Sequence, residues 1–257
     1  MSPGSEKGTE MPDSDTLIII PAYNEAQRIG QTLDDLSTVS SQLRFDVLVI
    51  DDGSTDATEE VVREAGYPVI RLLFHSGYGT ALQTGYKYAD LKGYEYIVQV
   101  DADGQHDVRF LPTIVDMLKK NRMDIAVGSR FLDGTPFSPL PNRVLYYGTP
   151  LRRIGIRLFR LLLSLWGLKV TDPTSGFLGL QRSAFTFLAG DVFPFDYPDA
   201  DVLLLLHRNK FRIQEVPVFM YLNPERGTIH RGCAPFWYMI KESLSLIFAG
   251  LRPREIA

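Results

Sequence analysis

The chain has a single cysteine, Cys233, so no internal disulfide and no cysteine-built zinc site can form, and a reducing compartment is expected. Positive charge is also in short supply. Against 31 Asp and Glu stand 27 Lys and Arg, a net charge of −4, which excludes nucleic acid recruited by bulk charge and leaves any anionic ligand to a local patch. No apolar run reaches the roughly 20 residues of a membrane-spanning helix. The two nearest, 154–168 and 233–251, are broken by Arg157 and Arg160 and by Lys241 and Glu242. The opening stretch, MSPGSEKGTEMPDSD, lacks the basic start and apolar run of a secretory signal and reads as a disordered arm over 1–15. No internal repeat is visible.

What is present is enough apolar material for a sizeable core: 45% of 257 residues are hydrophobic, which suits one large domain or two small fused halves. Short β-rich runs alternate with helical patterns in the first half. LIIIP (17–21), DVLVID, YPVIRLLF and EYIVQV read as strands; Ile29, Leu33 and Leu36 fall at helical spacing, and GTALQTGYKYADLKG reads as a helix ended by Gly93. In DGSTDATEEVVREAG, Asp56 followed by Glu59 has the form of a capping box, with Gly66 as the stop. Such alternation predicts right-handed βαβ units and a mostly parallel sheet covered on both faces, an α/β fold whose ligands sit beyond the carboxyl ends of the strands. The second half is less regular: a strand DIAVGSR, a Pro/Gly-rich loop, a helix LRRIGIRLFRLLLSLWG, a turn and strand DPTSGFLGL, a helix over DADVLLLLHRN, a strand FRIQEVPVFM, and a terminal helix FWYMIKESLSLIFAGL.

Two acidic clusters, DDGSTD and DADGQHD, fall at predicted strand ends. Residues two apart in an extended segment point to one side, so Asp101 and Asp103 can aim at one point, and a divalent cation between them would relieve their repulsion. The same acids suit turn and helix-cap chemistry, and this segment alone leaves both readings open.

With IPAYNEA, VIDDGSTDAT, GYGTALQTGYKYA, QVDADGQHD, GSR, DPTSGF and EVPVFM in that order over 17–230, the sequence resembles the family 2 glycosyltransferases of the GT-A fold. It is most similar to the branch that includes dolichyl-phosphate mannose synthase and bacterial polyprenyl-phosphate sugar transferases. The resemblance implies a catalytic domain over 16–230, with the nucleotide-sugar half over 16–125 and the acceptor half over 126–230; the C-terminal helix over 231–257, with Phe236, Trp237 and Tyr238 together, suits a second membrane-interface element and equally a cover for the core. It implies a UDP- or GDP-linked sugar as donor, Mg²⁺ or Mn²⁺ as cofactor, and a polyprenyl phosphate as acceptor. By motif position Pro21, Tyr23, Glu25 and Asp52 match residues that hold base and ribose, and Gly77 and Gly79 admit backbone close to the ligand. Asp101, Asp103 and Gln105 match the metal-facing positions, and Arg130 of GSR is placed for a phosphate. Asp172, Ser175 and Gly176 match an acceptor-side motif near the reaction centre. YPDAD stands where similar sequences carry acidic pairs, making Asp199 or Asp201 the candidate base beside Asp103 and Arg130 in the catalytic set. Arg226, His230 and Arg231 lie where a short basic loop closes over phosphate. His75, His106 and His207 are assigned no chemical part.

The helix after the loop bears on the acceptor. At about 100° per residue, Arg152, Arg153, Arg157 and Arg160 fall within one arc and Ile154, Leu158, Leu161, Leu162, Leu165 and Trp166 on the other side. That is the pattern of a helix in a membrane interface, and equally of a helix packed on a sheet with a solvated basic face. The interfacial reading implies a cytoplasmic enzyme peripheral to the inner face of a membrane, attached by this helix or by a separate small membrane protein. Transfer to a saccharide or small-molecule hydroxyl is the alternative. A sugar-phosphate nucleotidyltransferase would need a Gly-rich, Arg/Lys-containing loop where PAYNEAQRIG stands, and a non-catalytic binding subunit would have lost part of the acid set.

Overall fold

The computed structural model describes residues 12–190, 193, 199–222 and 234–251. β1 (Thr16–Ala22) pairs in parallel with β2 (Asp46–Asp51) on one side and β4 (Tyr96–Gln99) on the other, and β3 (Val69–Arg71) lies outside β2. TLIIIPA can occupy this central place because every residue of it is buried, as both faces of a parallel sheet require. α1 (Ile29–Val39), α2 (Thr58–Glu64) and α3 (Tyr78–Lys92) make the crossovers. α3 stops at Gly93, whose φ of 82° is the left-handed cap that glycine adopts without penalty.

α4 (Leu111–Asn121) leads to β5 (Ile125–Ser129), and the loop after it to α5 (Pro150–Leu165), which starts with proline in its first turn and Thr149 accepting from the Arg152 amide at 3.3 Å. β6 (Leu178–Gln181), α6 (Arg182–Ala189), α7 (Ala200–Arg208), β7 (Ile213–Pro217) and α8 (Ala234–Leu251) follow. The seven strands run in the order β3-β2-β1-β4-β6-β5-β7. β6 is antiparallel to both β4 and β5, so the turn that precedes it, carrying the DPTSG residues, meets the carboxyl ends of its neighbours. Alternate strand residues feed two cores: Leu17 and Ile19 face α3 and the later helices, Ile18 and Ile20 face α1 and α4. This is the mostly parallel, doubly covered α/β sheet expected from the motifs.

Some local expectations change. The strand expected over YPVIRLLF is confined to Val69–Arg71, and Leu73 and Phe74 are 96% and 71% exposed. No capping box forms at α2: Asp56 accepts from the amides of Thr58 and Ala26 at 3.0 and 3.2 Å, while Glu59 pairs with Arg63 and Arg71. The expected arm, 1–15, lies outside the described residues as far as 11, but its end is anchored, with Asp15 paired to Lys119 at 2.8 Å. Among the described residues no helix is long and apolar enough to cross a membrane.

Candidate active site

Three loops at the carboxyl ends of β1, β2 and β3 are knitted together. Asn24, at φ 54°, gives its amide to Ser54 Oγ at 2.9 Å and takes the Thr55 amide at 2.8 Å; the Glu25 amide bonds Thr58 Oγ1 at 2.9 Å. The PAYNE and DDGSTD motifs are therefore one structural unit. Asp52 is buried and accepts the amides of Ser76 and Gly77, each at 2.8 Å, with His75 Nδ1 also at 2.8 Å. Its first task is to shape the 74–77 loop. Gly53 must be glycine for the same reason: a Cβ there would lie 2.6 Å from the Phe74 backbone. Tyr23, 39% exposed, stacks on His75 with ring centroids 3.8 Å apart, so His75, assigned no part from sequence, helps form an open aromatic shelf. Pro21 is the last residue but one of β1, beside this unit, and Glu25 pairs with Arg28 at 2.6 Å. Gly77, at φ 101°, starts α3, and Gly79 is buried in its first turn.

Asp101, Asp103 and Gln105 do not alternate along a strand. β4 ends at Gln99, and the three residues lie in and beside a turn that passes through Gly104 at φ 71°. It is this turn, rather than an extended strand, that carries them. Tyr78 Oη donates to Asp101 Oδ1 at 3.0 Å; burial and then Asp101 raise the Tyr78 pKa well above its usual value, keeping the phenol a donor. The Asp101 amide donates to His106 Nδ1 at 3.1 Å, which leaves His106 Nε2 to carry the proton, 3.5 Å from Asp101 Oδ2. His106 stacks on Phe177 at 4.7 Å, so it orients the carboxylate and is not turned away from it. Asp103 Oδ1 accepts the Gln105 amide at 3.0 Å, and both residues are only 7% exposed. Among the described residues no three His, Cys, Asp or Glu side chains form a closed metal cage. Two carboxylates and an amide oxygen instead match the partial, oxygen-only set that Mg²⁺ or Mn²⁺ accepts when substrate phosphates complete the shell.

The acceptor-side motif reaches this turn through Gly176. A Cβ there would stand 3.3 Å from Tyr78 Oη and 3.5 Å from Asp101 Oδ2. Beside it Arg130 and Asp172 form a bidentate ion pair, Nε and Nη2 each 2.6 Å from a carboxylate oxygen, with the side chains 3% and 0% exposed. Thr174 takes a further bond from Arg130 at 3.1 Å, which leaves Nη1 without a hydrogen bond to the described residues. Burial alone would lower the Arg130 pKa; Asp172 reverses this and raises it. Glu215 of β7, the first residue of EVPVFM and assigned no part from sequence, accepts the amides of Thr171 and Asp172 at 2.7–2.8 Å and fixes the loop from below. Ser175 Oγ accepts the Phe177 amide at 3.3 Å.

Asp199 and Asp201 part company. Asp199 feels Arg152 and Asp101, and Arg130 and Tyr78 feel it in turn; burial outweighs a hydrogen bond from Tyr238 and raises its pKa to about 6. Asp201 faces α8, accepting Ser245 Oγ at 2.7 Å, and burial raises its pKa as well. Glu242 of α8 accepts the Asp201 amide at 3.2 Å and is pushed up to about 9, by burial first and then by Asp201. Arg226, His230 and Arg231 lie outside the described residues, as do the side chains of Phe236 and Trp237. Tyr78, Tyr238 and Glu242 escaped the sequence analysis because their partners are distant in the chain; a buried-length helix carrying Tyr, Glu and Ser at i, i+4 and i+7 was the only available signal.

α5 shows three faces rather than two. Gly155, Ile156, Phe159 and Leu163 are buried against the core. Arg153, Arg157 and Arg160 line a small pocket with Phe131 and Ile156, and the guanidinium carbons of Arg160 and Arg130 lie 4.8 and 5.6 Å from the Phe131 ring centre. On the third face Leu151, Ile154, Leu158, Leu161 and Leu165 are 39–73% exposed.

A family model described as glycosyl transferase family 2 matches residues 17–188. The chain is 31% identical over 169 residues to a dolichol-phosphate mannosyltransferase of Pyrococcus furiosus, which covers 64% of this chain and 46% of that one. It is 27% identical over 228 residues to a UDP-N-acetylglucosamine–dolichyl-phosphate N-acetylglucosaminyltransferase of Methanococcus voltae, covering 81% and 86%. Among solved structures, glucosyl-3-phosphoglycerate synthase of Mycobacterium tuberculosis, in complex with Mn²⁺ and UDP-glucose, superposes with a TM-score of 0.67 at 20% identity over 93% of this chain and 79% of that one. The knitted strand-end loops, the acidic turn after β4 and the matched stretch from β1 through α6 agree, and the chain is a glycosyltransferase that belongs to family 2.

Proposed function

We propose that the chain transfers a sugar from a UDP- or GDP-linked donor to the phosphate oxygen of a polyprenyl phosphate, at the surface of a membrane. The observation that carries the acceptor is α5, where a pocket lined by Arg153, Arg157 and Arg160 with Phe131, the residue after Arg130, adjoins a stripe of exposed aliphatics. A phosphate carrying a long apolar chain needs that combination: guanidinium groups for the head and an apolar surface facing the bilayer. The relatives whose names specify dolichyl phosphate support the same reading.

The first half of the sheet would hold the donor, with Tyr23 and His75 beneath the base and the loop shaped by Asp52 beside the ribose. A divalent ion held by Asp101, Asp103 and Gln105 would neutralise charge on the donor diphosphate. Tyr78 and His106 orient Asp101 toward it. In the transfer, the bond from the anomeric carbon to the diphosphate oxygen breaks, its electron pair leaves with the nucleoside diphosphate, and an acceptor phosphate oxygen bonds the same carbon from the opposite face. The second ionisation of a phosphomonoester falls near 6, so the nucleophile is already anionic and needs no strong base. Asp199 then serves to orient Arg152 and Arg130 toward the acceptor phosphate.

The test is incubation with UDP- and GDP-sugars, Mg²⁺ or Mn²⁺, and undecaprenyl or dolichyl phosphate, with products identified by mass spectrometry. Lipid-linked sugar that disappears in Asp103→Ala is the expected result. Transfer to a saccharide hydroxyl with lipid phosphate ignored would overturn the acceptor assignment.

A further inference from the structure

α8 sets polar groups among the apolar residues of its inner side, where Leu246 is buried and Met239 and Ala249 pack on the core, and carries an apolar stripe outside, unlike a helix that merely covers a core. Ile240, Leu244, Ile247, Phe248 and Leu251 are 37–68% exposed, while Glu242 is 4% exposed. Inward, Tyr238 donates to Asp199, Glu242 accepts the Asp201 amide at 3.2 Å, and Ser245 donates to Asp201 Oδ2 at 2.7 Å. Burying a carboxyl group where a leucine would fit costs stability, so its retention calls for a reason.

The start of α7 supplies that reason. Asp199 occupies the N-cap position, where aspartate ordinarily accepts an amide of the first turn, yet its side chain makes no capping bond. Of the two amides it would have capped, that of Asp201 is taken by Glu242 of α8 at 3.2 Å, which also accepts from Ala200, and that of Val202 by the Asp201 carboxylate at 2.8 Å. Relieved of capping, the Asp199 carboxylate is drawn toward Tyr238 and the reaction centre. α8 is seated by close packing on α5: Gly155 faces Met239 near the start of both helices, and Trp166 faces Gly250 near their ends. The Tyr238 ring stands edge-on to Phe159.

We propose that α8 is a positioning element of the active site, with Tyr238 holding Asp199 and Glu242 capping α7 in its place, so that Asp199 is aimed at the reaction centre only while α8 is seated. This rests on the reading of Asp199 as orienting the acceptor-side arginines.

Tyr238→Phe keeps the ring and removes the hydroxyl. Turnover falls about tenfold or more, KM for the nucleotide sugar stays put, adding the change to Asp199→Asn costs nothing further, and the melting temperature falls only by the few degrees that one lost hydrogen bond to a charged group costs. Glu242→Gln, which still caps, retains turnover; Glu242→Leu returns Asp199 to the cap and falls to the level of Asp199→Asn. Wild-type turnover in Tyr238→Phe and Glu242→Leu, or losses that multiply with that of Asp199→Asn, overturns the inference. If the wild type glycosylates no lipid phosphate, the proposed function fails while the inference keeps its own readout, the carboxyl-carbon resonance of Asp199. Among the described residues, the groups facing Asp199 are Tyr238 and Glu242 of α8, Asp201 of α7, Arg152 of α5, Arg130 after β5, Tyr78 of α3 and Asp101 after β4. Of these only Tyr238 changes in Tyr238→Phe, and its bond lowers the Asp199 pKa, so the titration midpoint must rise. An unmoved midpoint sinks the proposal.

Discussion

Removal of the Asp172 carboxylate in Asp172→Ala leaves Arg130 as a buried cation with its main partner gone. The pair is dry, at 3% and 0% side-chain exposure, and bidentate, with two bonds of 2.6 Å. Breaking such a pair from one side costs about 3–5 kcal/mol, a large part of the ~5–15 kcal/mol that holds a domain folded. At ~2–4 °C per kcal/mol for a chain of this size, the melting temperature falls by about 6–20 °C. Urea unfolding should show the midpoint shifted with the slope unchanged, since the surface exposed on unfolding is the same. The double variant Arg130→Met/Asp172→Leu removes both charges and fills the space with apolar groups, so it regains most of the stability and transfers no sugar. Two results would refute this reasoning: a loss below about 1 kcal/mol in Asp172→Ala, the value of an exposed pair, or a double variant no more stable than the single one.

Glu242, raised to about 9 when folded against 4.5 ordinarily, binds a proton in the folded state that the unfolded chain has released, so its contribution to stability is present below 4.5 and is lost as pH rises toward 9. The stability gap between wild type and Glu242→Gln, measured by denaturant unfolding, should therefore move against the wild type from about pH 6 to about pH 9, and a gap that does not vary with pH would contradict the burial of the acid. At Gly250 a Cβ would fall 2.2 Å from the Trp166 indole, so Gly250→Ala should cost about 1–3 kcal/mol and shift indole fluorescence; a neutral result would mean α8 is not seated there. For α5, Leu161→Glu or the pair Arg153→Gln/Arg157→Gln should weaken sedimentation with anionic lipid vesicles, each arginine contributing about 1 kcal/mol, while unchanged binding would remove this helix from the proposed membrane contact.

Much of the fold was legible because it rests on short-range periodicity. The buried run at 16–22, the strand DVLVID, the left-handed stop at Gly93 and the amphipathic helix at 150–165 follow from neighbours within one or two turns. The boundary errors have local causes too: Leu73 and Phe74 have strand-like character but no partner strand beyond Arg71, and Asp56 found Ala26 in place of Glu59. The acids after β4 were visible by type and spacing, but the course of their backbone was not, since a turn through Gly104 replaced the expected extended segment. The Asp52 carboxylate, expected at the ligand, is engaged first by the loop beneath it.

The sequence by itself determined the alternation of strands and helices, the acidic cluster at the end of β4 and the amphipathic character of α5, because each depends on residue type and local spacing. Only the tertiary structure decided that β6 would run antiparallel between β4 and β5, that Arg130 would be bound by Asp172, that Asp199 would be held by Tyr238 and Asp201 by Ser245, and that α5 would leave one aliphatic face uncovered. Those outcomes depend on which distant groups share a water-free space, where an unmet charge or amide is costly enough to select one partner over all others.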